Sequence, residues 1–515
     1  MSLAATGKTQ EELGALALAD ERVTYLWCEL DIILNRATNA IMAAGRRPEK
    51  RVAVYAANSV ETAIAYVACL AAGVSSVPVN YHLTPEEAAY ILDDADVDLL
   101  FVGPETAEKG AEAARLAGAS TVVGWRLPER EGVLSWEDWL AESSADEPPA
   151  HMQPQPHLHY TSGTTGKPKA AETPPNMFPL RETVEALFDA LRKEVAAGPG
   201  GASLAVGPLY HTGPLRLTRI LAGGGALVSM DRFDAEKTLE NIERFSVTRT
   251  VMVPTHFQRL LALPEAVRLK YDHSSLRLVA HTGAACPRDV KHRMIEWWGP
   301  VLFESYGGTE SGPTNMINSE EWLKKPGSVG RTLPPFEPVV ISDEGKILGA
   351  NEEGQLYFRD TTGRGIVYYN DAKKTAAAHR EPGLFTLGEV GYVDDEGYVF
   401  ITDRVSDMIV SGGVNIYPAE IEQVLITRPD ILDVAVIGAP NADMGEEVMA
   451  LIVPSNPLSP PDQEELDIFC REKLAGYKAP RAYRFTDDLG RTPLGKLNKR
   501  ELRQRYWPTG RTIGG

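Results

Sequence analysis

The most informative stretch of the chain is YTSGTTGKPK, which occupies residues 160–169. Its two glycines let the backbone wrap closely around an anion, four hydroxyl groups after the tyrosine supply donors, and two lysines supply positive charge. That combination suits a polyphosphate, whereas a flexible surface turn would not need it. The stretch is not a Walker loop, because Gly163 lies too close to Gly166-Lys167 and Pro168 replaces the hydroxyl residue that would hold a metal.

Three further segments contain residues suited to nucleotide chemistry, and each is ambiguous by itself. In YGGTE, residues 306–310, a hydroxyl and a carboxylate beside glycines suit a loop near a nucleotide, with Glu310 available to Mg²⁺; an ordinary turn is the alternative. Glu389 and Arg404 lie across a predicted hairpin and could hold ribose hydroxyls or form a surface salt bridge. In RTPLGK, residues 491–496, the lysine lies on a loop where a lone lysine is usually solvated.

Short apolar runs alternate with helical patterns through the first 150 residues. Strands are predicted at residues 52–56, 77–79, 99–102 and 121–123. Ser59 can cap a helix whose apolar residues recur at helical spacing, and Thr84 followed by Pro85 and two glutamates is a strong helix start. Alternation of this kind predicts a parallel sheet with right-handed crossover helices.

The pattern changes in the middle of the chain. Residues 141–155 are rich in Ser, Asp, Glu and Pro and predict an exposed connection, after which helix and strand patterns resume from about 181 to 299. Turn residues at 343–345, 352–354 and 394–397 then separate short strands. That spacing indicates an antiparallel, barrel-like piece.

A compact α+β unit follows, with helices predicted at 418–426 and 461–474 and strands at 434–437 and 450–453. The predicted fold class is therefore α/β. A large N-terminal domain contains parallel-sheet α/β subdomains and the small β-barrel-like piece, and a small α+β domain forms the C-terminus. The predicted bounds are 1–403 for the N-terminal domain, 404–407 for the hinge and 408–515 for the C-terminal domain.

Length and charge exclude several classes of protein. A chain of 515 residues is long enough for two or more domains and for a large core without metal or disulfide support. Its net charge of −19 argues against nucleic acid as a partner, because a phosphate backbone requires a basic face. The four cysteines lie far apart, which disfavours a disulfide framework and a thiolate zinc site. We find neither a secretory signal nor a transmembrane segment, and we expect a cytoplasmic protein.

In this order and spacing, the four motif segments resemble the adenylate-forming superfamily, which includes acyl-CoA synthetases, luciferases and peptide-synthetase adenylation domains. The resemblance covers nearly the whole chain, from residue 52 to residue 502. SGGVNIYPAEIE, residues 411–422, is most similar to the bacterial fatty-acyl-CoA synthetase-like branch. The resemblance implies ATP, Mg²⁺ and coenzyme A as cofactors, a carboxylic acid as substrate, and a role in fatty acid and lipid metabolism.

The resemblance also implies roles for individual nucleotide-binding residues. Those that would hold the β- and γ-phosphates of ATP are Thr161, Ser162, Gly163, Thr164, Thr165, Gly166, Lys167 and Lys169. Those that would flank adenine or stack on it are Gly283, Ala284, Ala285 and Tyr306. Glu389 and Arg404 would bind ribose, Thr309 would contact the α-phosphate, and Glu310 would ligate Mg²⁺.

Further implied roles concern the acyl group, the thiol and the domain movement. Lys496 would stabilise charge as the substrate carboxylate attacks the α-phosphorus, and His211 matches a histidine near the acyl pocket. Gly412 and Gly413 resemble the bare backbone that lines the pantetheine tunnel, and Ser406 stands at the hinge position.

Three features depart from the pattern of the superfamily. The ribose-binding acid is usually Asp but is Glu389 here, one methylene longer, and Leu387 replaces the usual Thr. The hinge residue is usually Asp or Lys but is Ser406 here. The segment after the phosphate loop, residues 170–175, lacks the common Gly-Val start and the later His-Asn pair. These departures bear on nucleotide affinity and domain rotation.

The predicted activity is ATP-dependent acid–CoA ligation through an acyl-adenylate. An acyl-AMP ligase that loads a carrier protein is one alternative, and the Gly412-Gly413 pair weighs against it. A non-catalytic nucleotide-binding descendant, suggested by Glu389 and Ser406, is the other. Four residues weigh against it: Lys169, Glu310, Arg404 and Lys496. The sequence does not identify the acid, and a homodimer is one assembly that it allows.

Two other pairs of residues invite a functional interpretation. His157 and His159 would face the same way on a strand and could bind a metal, but no third ligand is evident. Trp297 and Trp298 are expected to pack a helix on the core rather than stack on a base.

Overall fold

The computed structural model of this protein describes most of the chain. The described residues are 2–44, 50–161, 168–178, 180–342, 344–404, 407–411, 414–441, 444–474, 476–492, 495 and 497–507. Within them, none of the helices combines the length and the apolar composition that crossing a bilayer requires. Cys28, Cys69, Cys286 and Cys470 are all free thiols.

Strands and helices alternate in the first 150 residues. The strands are β1 (Leu16–Ala19), β2 (Thr24–Leu26), β3 (Arg51–Tyr55), β4 (Ser76–Pro78), β5 (Val97–Val102), β6 (Thr121–Gly124) and β7 (Leu134–Ser135). The helices are α1 (Gln10–Leu13), α2 (Trp27–Ala43), α3 (Val60–Ala71), α4 (Pro85–Asp94), α5 (Ala107–Ala117) and α6 (Trp136–Ala141). Strands β3 to β7 form a sheet in the order β4-β3-β5-β6-β7, and all its pairings are parallel, as predicted.

Two helix starts in this region agree with the prediction. The Thr62 amide donates to the Ser59 hydroxyl at 3.1 Å, which satisfies one of the free amides at the start of α3. Thr84 and Glu87 form a reciprocal capping box at the start of α4, with bonds of 3.3 and 2.9 Å. Local capping chemistry therefore determines where both helices begin.

The next 150 residues extend the α/β pattern. The strands are β8 (Leu158–Thr161), β9 (Lys169–Glu172), β10 (Ala202–Ala205), β11 (Ala226–Ser229), β12 (Val247–Met252) and β13 (Leu278–His281). The helices are α7 (Val184–Ala197), α8 (Thr212–Ala222), α9 (Ala235–Arg244), α10 (Pro254–Leu261), α11 (Glu265–Arg268) and α12 (Arg288–Trp298). Strands β8 and β9 form an antiparallel hairpin. Trp298 is buried on α12 in the core, as predicted.

Antiparallel strands dominate the following region. The strands are β14 (Leu302–Gly308), β15 (Gly312–Asn318), β16 (Ser328–Thr332), β17 (Phe336–Ile341), β18 (Gly354–Asp360), β19 (His379–Glu381), β20 (Leu384–Phe385), β21 (Glu389–Val393) and β22 (Tyr398–Arg404). The helices are α13 (Ser319–Lys324) and α14 (Ala372–Ala377). The antiparallel strands continue one large sheet with the parallel strands β10 to β14, because β15 pairs with β14.

The C-terminal part has its own smaller sheet. Its strands are β23 (Ile409–Ser411), β24 (Val414–Ile416), β25 (Ile431–Asn441), β26 (Gly445–Pro454) and β27 (Ala482–Phe485). Its helices are α15 (Pro418–Leu425), α16 (Gln463–Lys473) and α17 (Lys499–Gln504). Strands β25 and β26 form a long hairpin, and α15 and α16 pack on its apolar face. The protein thus combines a large α/β N-terminal domain with a small α+β C-terminal domain.

Candidate active site

The candidate site lies at the carboxyl edge of the parallel strands in the large sheet. Strands β10, β12, β13 and β14 run in parallel, so their carboxyl ends meet at one edge. The segments after these ends carry His211, Thr255, Gly283 and Thr309. Ligands of open α/β sheets bind at this edge, because loops from several strands converge there. Residues that are distant in sequence are therefore brought together by the sheet.

The YGGTE segment forms the tight turn between β14 and β15. A side chain at Gly307 would overlap the carbonyl oxygen of Gly312, so the close approach of the two strands requires glycine. The Gly308 amide donates to the Ser311 hydroxyl at 3.0 Å and stabilises the turn. The turn presents Thr309 to α8, where its hydroxyl and that of Thr212 are 3.3 Å apart.

Lys169 and Glu310 both contact Tyr368. Thr161 and Lys169 are directly opposite each other in the β8–β9 hairpin, at the two ends of the phosphate-loop motif. The Lys169 ammonium lies 5.5 Å from the centre of the Tyr368 ring. The Tyr368 hydroxyl donates to Glu310 at 3.5 Å, and burial, followed by the Glu310 charge, raises the pKa of that tyrosine. Tyr368 thus contacts both a lysine and a carboxylate of the predicted site.

A second hydrogen bond joins two of the predicted nucleotide-binding residues. The Tyr306 hydroxyl donates to the Glu389 carboxylate at 2.8 Å. Glu389 is only 5% exposed, and it lies directly opposite Arg404 in the backbone pairing of β21 with β22. Tyr306 also packs against Phe358, with ring centres 6.0 Å apart. The longer glutamate is therefore accommodated by a direct contact with the tyrosine.

A loop of the small domain reaches the same sheet edge. A side chain at Gly495, the residue before Lys496, would overlap the Thr255 hydroxyl at the start of α10. Arg491 anchors this loop: its guanidinium donates to the Gly495 carbonyl at 2.9 Å and to the two oxygens of Asp433 at 2.6 and 2.8 Å. The anchor lies on β25, so the loop is attached to the sheet of the small domain.

His211 is the residue that precedes α8. It is partly buried, and its ring packs against that of Tyr210 with centres 4.1 Å apart. Tyr210 in turn contacts Tyr81 edge to face at 5.5 Å. His211 therefore lies in a cluster of aromatic rings. It directly precedes Thr212, which contacts Thr309.

The segment 170–175, which departs from the superfamily pattern, also leads to the site. The Asn176 amide that follows it donates to the Ser311 carbonyl at 3.3 Å, and Gly312 leaves room for the Met177 side chain. Thr173 donates to the backbone of His157 at 2.5 Å. Although this segment lacks the usual superfamily residues, Asn176 and Met177 hold it against the turn that carries Thr309.

Several predicted residues lie outside the described part of the chain. They are Ser162, Gly163, Thr164, Thr165, Gly166, Lys167, Ser406, Gly412, Gly413 and Lys496, together with the side chain of Arg404. Their neighbours Thr161, Lys169 and Gly495 are described and lie at the same sheet edge or on strands beside it. Gly283, Ala284 and Ala285 follow β13 directly, and Gly283 has a left-handed φ of 88°.

Sequence reasoning assigned no role to five residues that contact the predicted site or support it. Thr212 touches Thr309, Tyr368 joins Lys169 to Glu310, Asn176 holds the turn, and Arg491 with Asp433 anchors the loop before Lys496. Arg491 belongs to the RTPLGK motif and could have been found there. Thr212 lies in the PLYHTG segment, residues 208–213, which also contains His211. Tyr368, Asn176 and Asp433 belong to no motif in the sequence.

His159 is buried on β8, and His157, just before that strand, is partly buried. Their ring centres are 6.0 Å apart, and His157 forms a hydrogen bond with Ser76. Burial lowers the pKa of His157 to about 3 and that of His159 to about 4. The described residues contain no group of three or more side chains placed to hold a metal ion. With these lowered pKa values, both imidazoles are neutral at pH 7.

Comparison with known proteins agrees with this geometry. The chain matches the family described as AMP-binding enzyme over residues 5–366 and the AMP-binding enzyme C-terminal domain over residues 420–496. It is 33% identical to an indoleacetate–CoA ligase of Aromatoleum aromaticum, over 96% of this chain and 95% of the relative. It is 32% identical to a fatty acid–[acyl-carrier-protein] ligase of Streptomyces coeruleorubidus, over 97% and 95%.

A solved structure with the same architecture is the o-succinylbenzoate CoA synthetase of Bacillus subtilis in complex with the acyl-adenylate intermediate OSB-AMP. It is 27% identical to this chain, covers 97% of this chain and 96% of its own, and superposes with a TM-score of 0.76. Both sequence and architecture thus agree along nearly the whole length. The chain belongs to the AMP-binding enzyme family and lies in the acyl-CoA synthetase branch of the adenylate-forming superfamily.

Proposed function

We propose that this protein is an ATP-dependent acid–CoA ligase that forms an acyl-adenylate and then an acyl-CoA thioester, releasing pyrophosphate and AMP. Membership of the acyl-CoA synthetase branch supports an AMP-forming acid–thiol ligase. The observation that carries the proposal is the contact between Gly495 and Thr255 at the sheet edge that also holds Thr309. A loop of the small domain thus stands where the functional groups of the large domain converge.

The reaction follows from the chemistry of carboxylates. A carboxylate is a poor acyl donor, because its leaving group would be oxide. A carboxylate oxygen attacks the α-phosphorus of ATP, forms the acyl-adenylate and expels pyrophosphate; a CoA thiolate then attacks the acyl carbon and expels AMP. The first step depends on positioning and on positive charge near the phosphates rather than on a nucleophilic side chain. The hydroxyls and lysines of this site meet that requirement.

The nucleoside is proposed to bind between Tyr306 and the segment 283–285. Glu389 and Arg404 would hold the ribose hydroxyls, since a carboxylate accepts and a guanidinium donates hydrogen bonds. The hydrogen bond from Tyr306 restrains the Glu389 carboxylate and the tyrosine ring together. That restraint supports a ribose-binding role for a glutamate where relatives use the shorter aspartate.

The phosphates are proposed to bind the loop from Thr161 to Lys169, with Thr309 at the α-phosphate. The Glu310 carboxylate fits Mg²⁺: it is partly exposed, and within the described residues it accepts one long hydrogen bond and forms no ion pair. Mg²⁺ usually binds one or two carboxylates together with substrate phosphates, which suits a site without a full protein cage. When bound, the ion would add positive charge beside the phosphates.

The small domain is proposed to serve the two steps in turn. Lys496 would stabilise the charge that develops in adenylation, and Gly412 and Gly413 would then line the path of the CoA thiol. We place the hinge at 404–407, with Ser406 as the pivot, and the domains at 1–403 and 408–515. The proposed boundary is supported by the strands, because β22 ends the large sheet at Arg404 and β23 opens the small one at Ile409.

A carrier-protein acceptor is the second candidate, since one relative is a fatty acid–[acyl-carrier-protein] ligase. Release of AMP that depends on CoA, and not on an acyl carrier protein, would identify CoA as the acceptor.

We propose a cytoplasmic location, which the four free thiols support. The homodimer stays a prediction.

The function is tested by timing the two half-reactions separately in the wild type and in Lys496→Ala. We expect the variant to lose about 10²–10³ in adenylation, the typical cost of removing one preorganised charge donor. Thioester formation from a synthetic acyl-adenylate should be spared. Equal losses in both steps would contradict the role of Lys496, and a wild type that releases no pyrophosphate with any acid would contradict ligation itself.

A further inference from the structure

Tyr368 contacts two charged side chains that belong to different motifs. The ammonium group of Lys169, at the end of the phosphate-loop motif, lies 5.5 Å from the centre of the tyrosine ring. The tyrosine hydroxyl donates to the Oε1 atom of Glu310, in the YGGTE segment, at 3.5 Å. The two motifs are far apart in the sequence, and this one side chain touches both.

The position of Tyr368 is fixed by its backbone. It forms an antiparallel bridge with Ala171 on β9, and the amide of the next residue, Tyr369, donates to the Ala170 carbonyl at 2.9 Å. The Tyr368 amide donates to the Thr375 hydroxyl on α14 at 3.0 Å. All these bonds use backbone atoms on the tyrosine side. They therefore remain available when the Tyr368 side chain is changed.

The hydroxyl and the ring of Tyr368 act on their partners in different ways. The hydroxyl bonds one oxygen of the Glu310 carboxylate, and the other oxygen, Oε2, keeps its lone pairs for a metal ion. Hydrogen-bond partners of a ligating carboxylate fix its orientation, and their loss typically costs about 10- to 100-fold in metal affinity. The ring attracts the Lys169 ammonium through its negative face and, unlike a carboxylate, leaves the positive charge uncancelled.

We propose that Tyr368 is a positioning residue for adenylation: its hydroxyl orients Glu310 for Mg²⁺, and its ring holds the Lys169 ammonium for the phosphates of ATP. The inference rests on the ligase function above, which assigns Glu310 to the metal and Lys169 to the phosphates. Tyr368 acts through these two side chains and not on the reacting atoms. Because the hydroxyl and the ring have different partners, their effects on metal and nucleotide should be separable.

The test measures ATP binding by calorimetry, first as Mg²⁺ is varied and then in EDTA. Tyr368→Phe removes the hydroxyl and keeps the ring. It should raise the Mg²⁺ concentration that gives half of the gain in ATP affinity about tenfold, the lower end of the range because the bond is long, and leave affinity in EDTA unchanged. Tyr368→Leu removes both groups. It should show the same magnesium effect and also bind ATP about 2- to 5-fold more weakly in EDTA.

Tyr369→Phe is the matched control. The hydroxyl and the ring of Tyr369 contact Arg51 instead, at 3.2 and 4.4 Å, so neither affinity should change. In a Glu310→Gln background, Tyr368→Phe should have no further effect on the magnesium dependence, because the hydroxyl acts through that carboxylate. Thioester formation from a synthetic acyl-adenylate and CoA should be spared in both Tyr368 variants, since that step does not use the phosphate loop.

Several outcomes would overturn the inference. Wild-type magnesium dependence in Tyr368→Phe would do so, and Tyr368→Leu decides the same point if the phenylalanine variant does not fold. An equal loss of ATP affinity with and without Mg²⁺ in Tyr368→Phe would mean that the hydroxyl binds phosphate directly. Equal losses in both half-reactions, or the same losses in Tyr369→Phe, would mean that the segment is merely structural.

The inference and the proposed function fail in different ways. A Glu310→Gln variant with wild-type magnesium dependence would overturn the inference together with the metal role of Glu310. A wild type that binds ATP with the expected magnesium dependence, but releases no pyrophosphate with any acid, would refute the ligase function alone.

Discussion

Replacing Arg491 with alanine should slow adenylation by about 30- to 100-fold and leave thioester formation nearly unchanged. Arg491 joins two parts of the small domain: Asp433 on β25 and, within its own loop, the Gly495 carbonyl next to Lys496. Without the guanidinium, the loop loses the bonds that fix its position against Thr255. Lys496 would then have to be ordered in each catalytic cycle.

The magnitude follows from the contacts. Hydrogen bonds to charged groups contribute about 1.5–3 kcal/mol each, and breaking a fully buried ion pair costs about 3–5 kcal/mol. The side chains of Arg491 and Asp433 are 25% and 20% exposed, so solvent screens part of that cost. We expect about 2–2.7 kcal/mol, which corresponds to about 30- to 100-fold in rate. Arg491→Lys keeps the charge without the paired geometry and should lose about tenfold.

Adenylation is measured as ATP–pyrophosphate exchange, and thioester formation is measured from a synthetic acyl-adenylate and CoA. Arg471→Ala is the matched control, because Arg471 pairs with Asp467 at 2.7 Å on the exposed surface of α16, away from the loop. Circular dichroism is used to check that each variant is folded. Wild-type exchange rates in a folded Arg491→Ala protein, or equal losses in both steps, would refute the positioning role.

Two further predictions concern the nucleotide and the pH. Glu389→Ala should weaken ATP binding by about 1.5–3 kcal/mol in calorimetry, whereas Glu389→Asp should be tolerated. Tyr306→Phe should lose less ATP affinity than Glu389→Ala. Unchanged affinity in the alanine variant would show that Glu389 does not touch ribose. His157 and His159, with pKa values lowered to about 3 and 4, bind protons only after unfolding as the pH falls below about 6.5. The free energy of unfolding should therefore fall by about 2–2.5 kcal/mol per pH unit between about pH 6 and 4, and remain constant above about pH 8 with respect to these groups. Urea titrations at a series of pH values test this slope.

The elements of this fold were predictable because their signals are local. The caps at Ser59 and Thr84, the turn residues before Tyr398 and the alternation of strands with helices all act within a few residues. The order of the motifs was enough to indicate the superfamily. The continuous sheet was not foreseen, because the pairing of β15 with β14 joins two patterns that look separate in the sequence.

The sequence by itself thus determined the elements, the family and the residue types of the site, since short-range propensity and motif spacing are written in neighbouring residues. Tertiary structure alone decided that Tyr306 bonds Glu389, that Gly495 lies against Thr255, and that Tyr368 contacts both Lys169 and Glu310. Such contacts depend on strand register and on the rotation of a helix about its axis. Both are set by the packing of the whole core, to which each residue contributes only a small part.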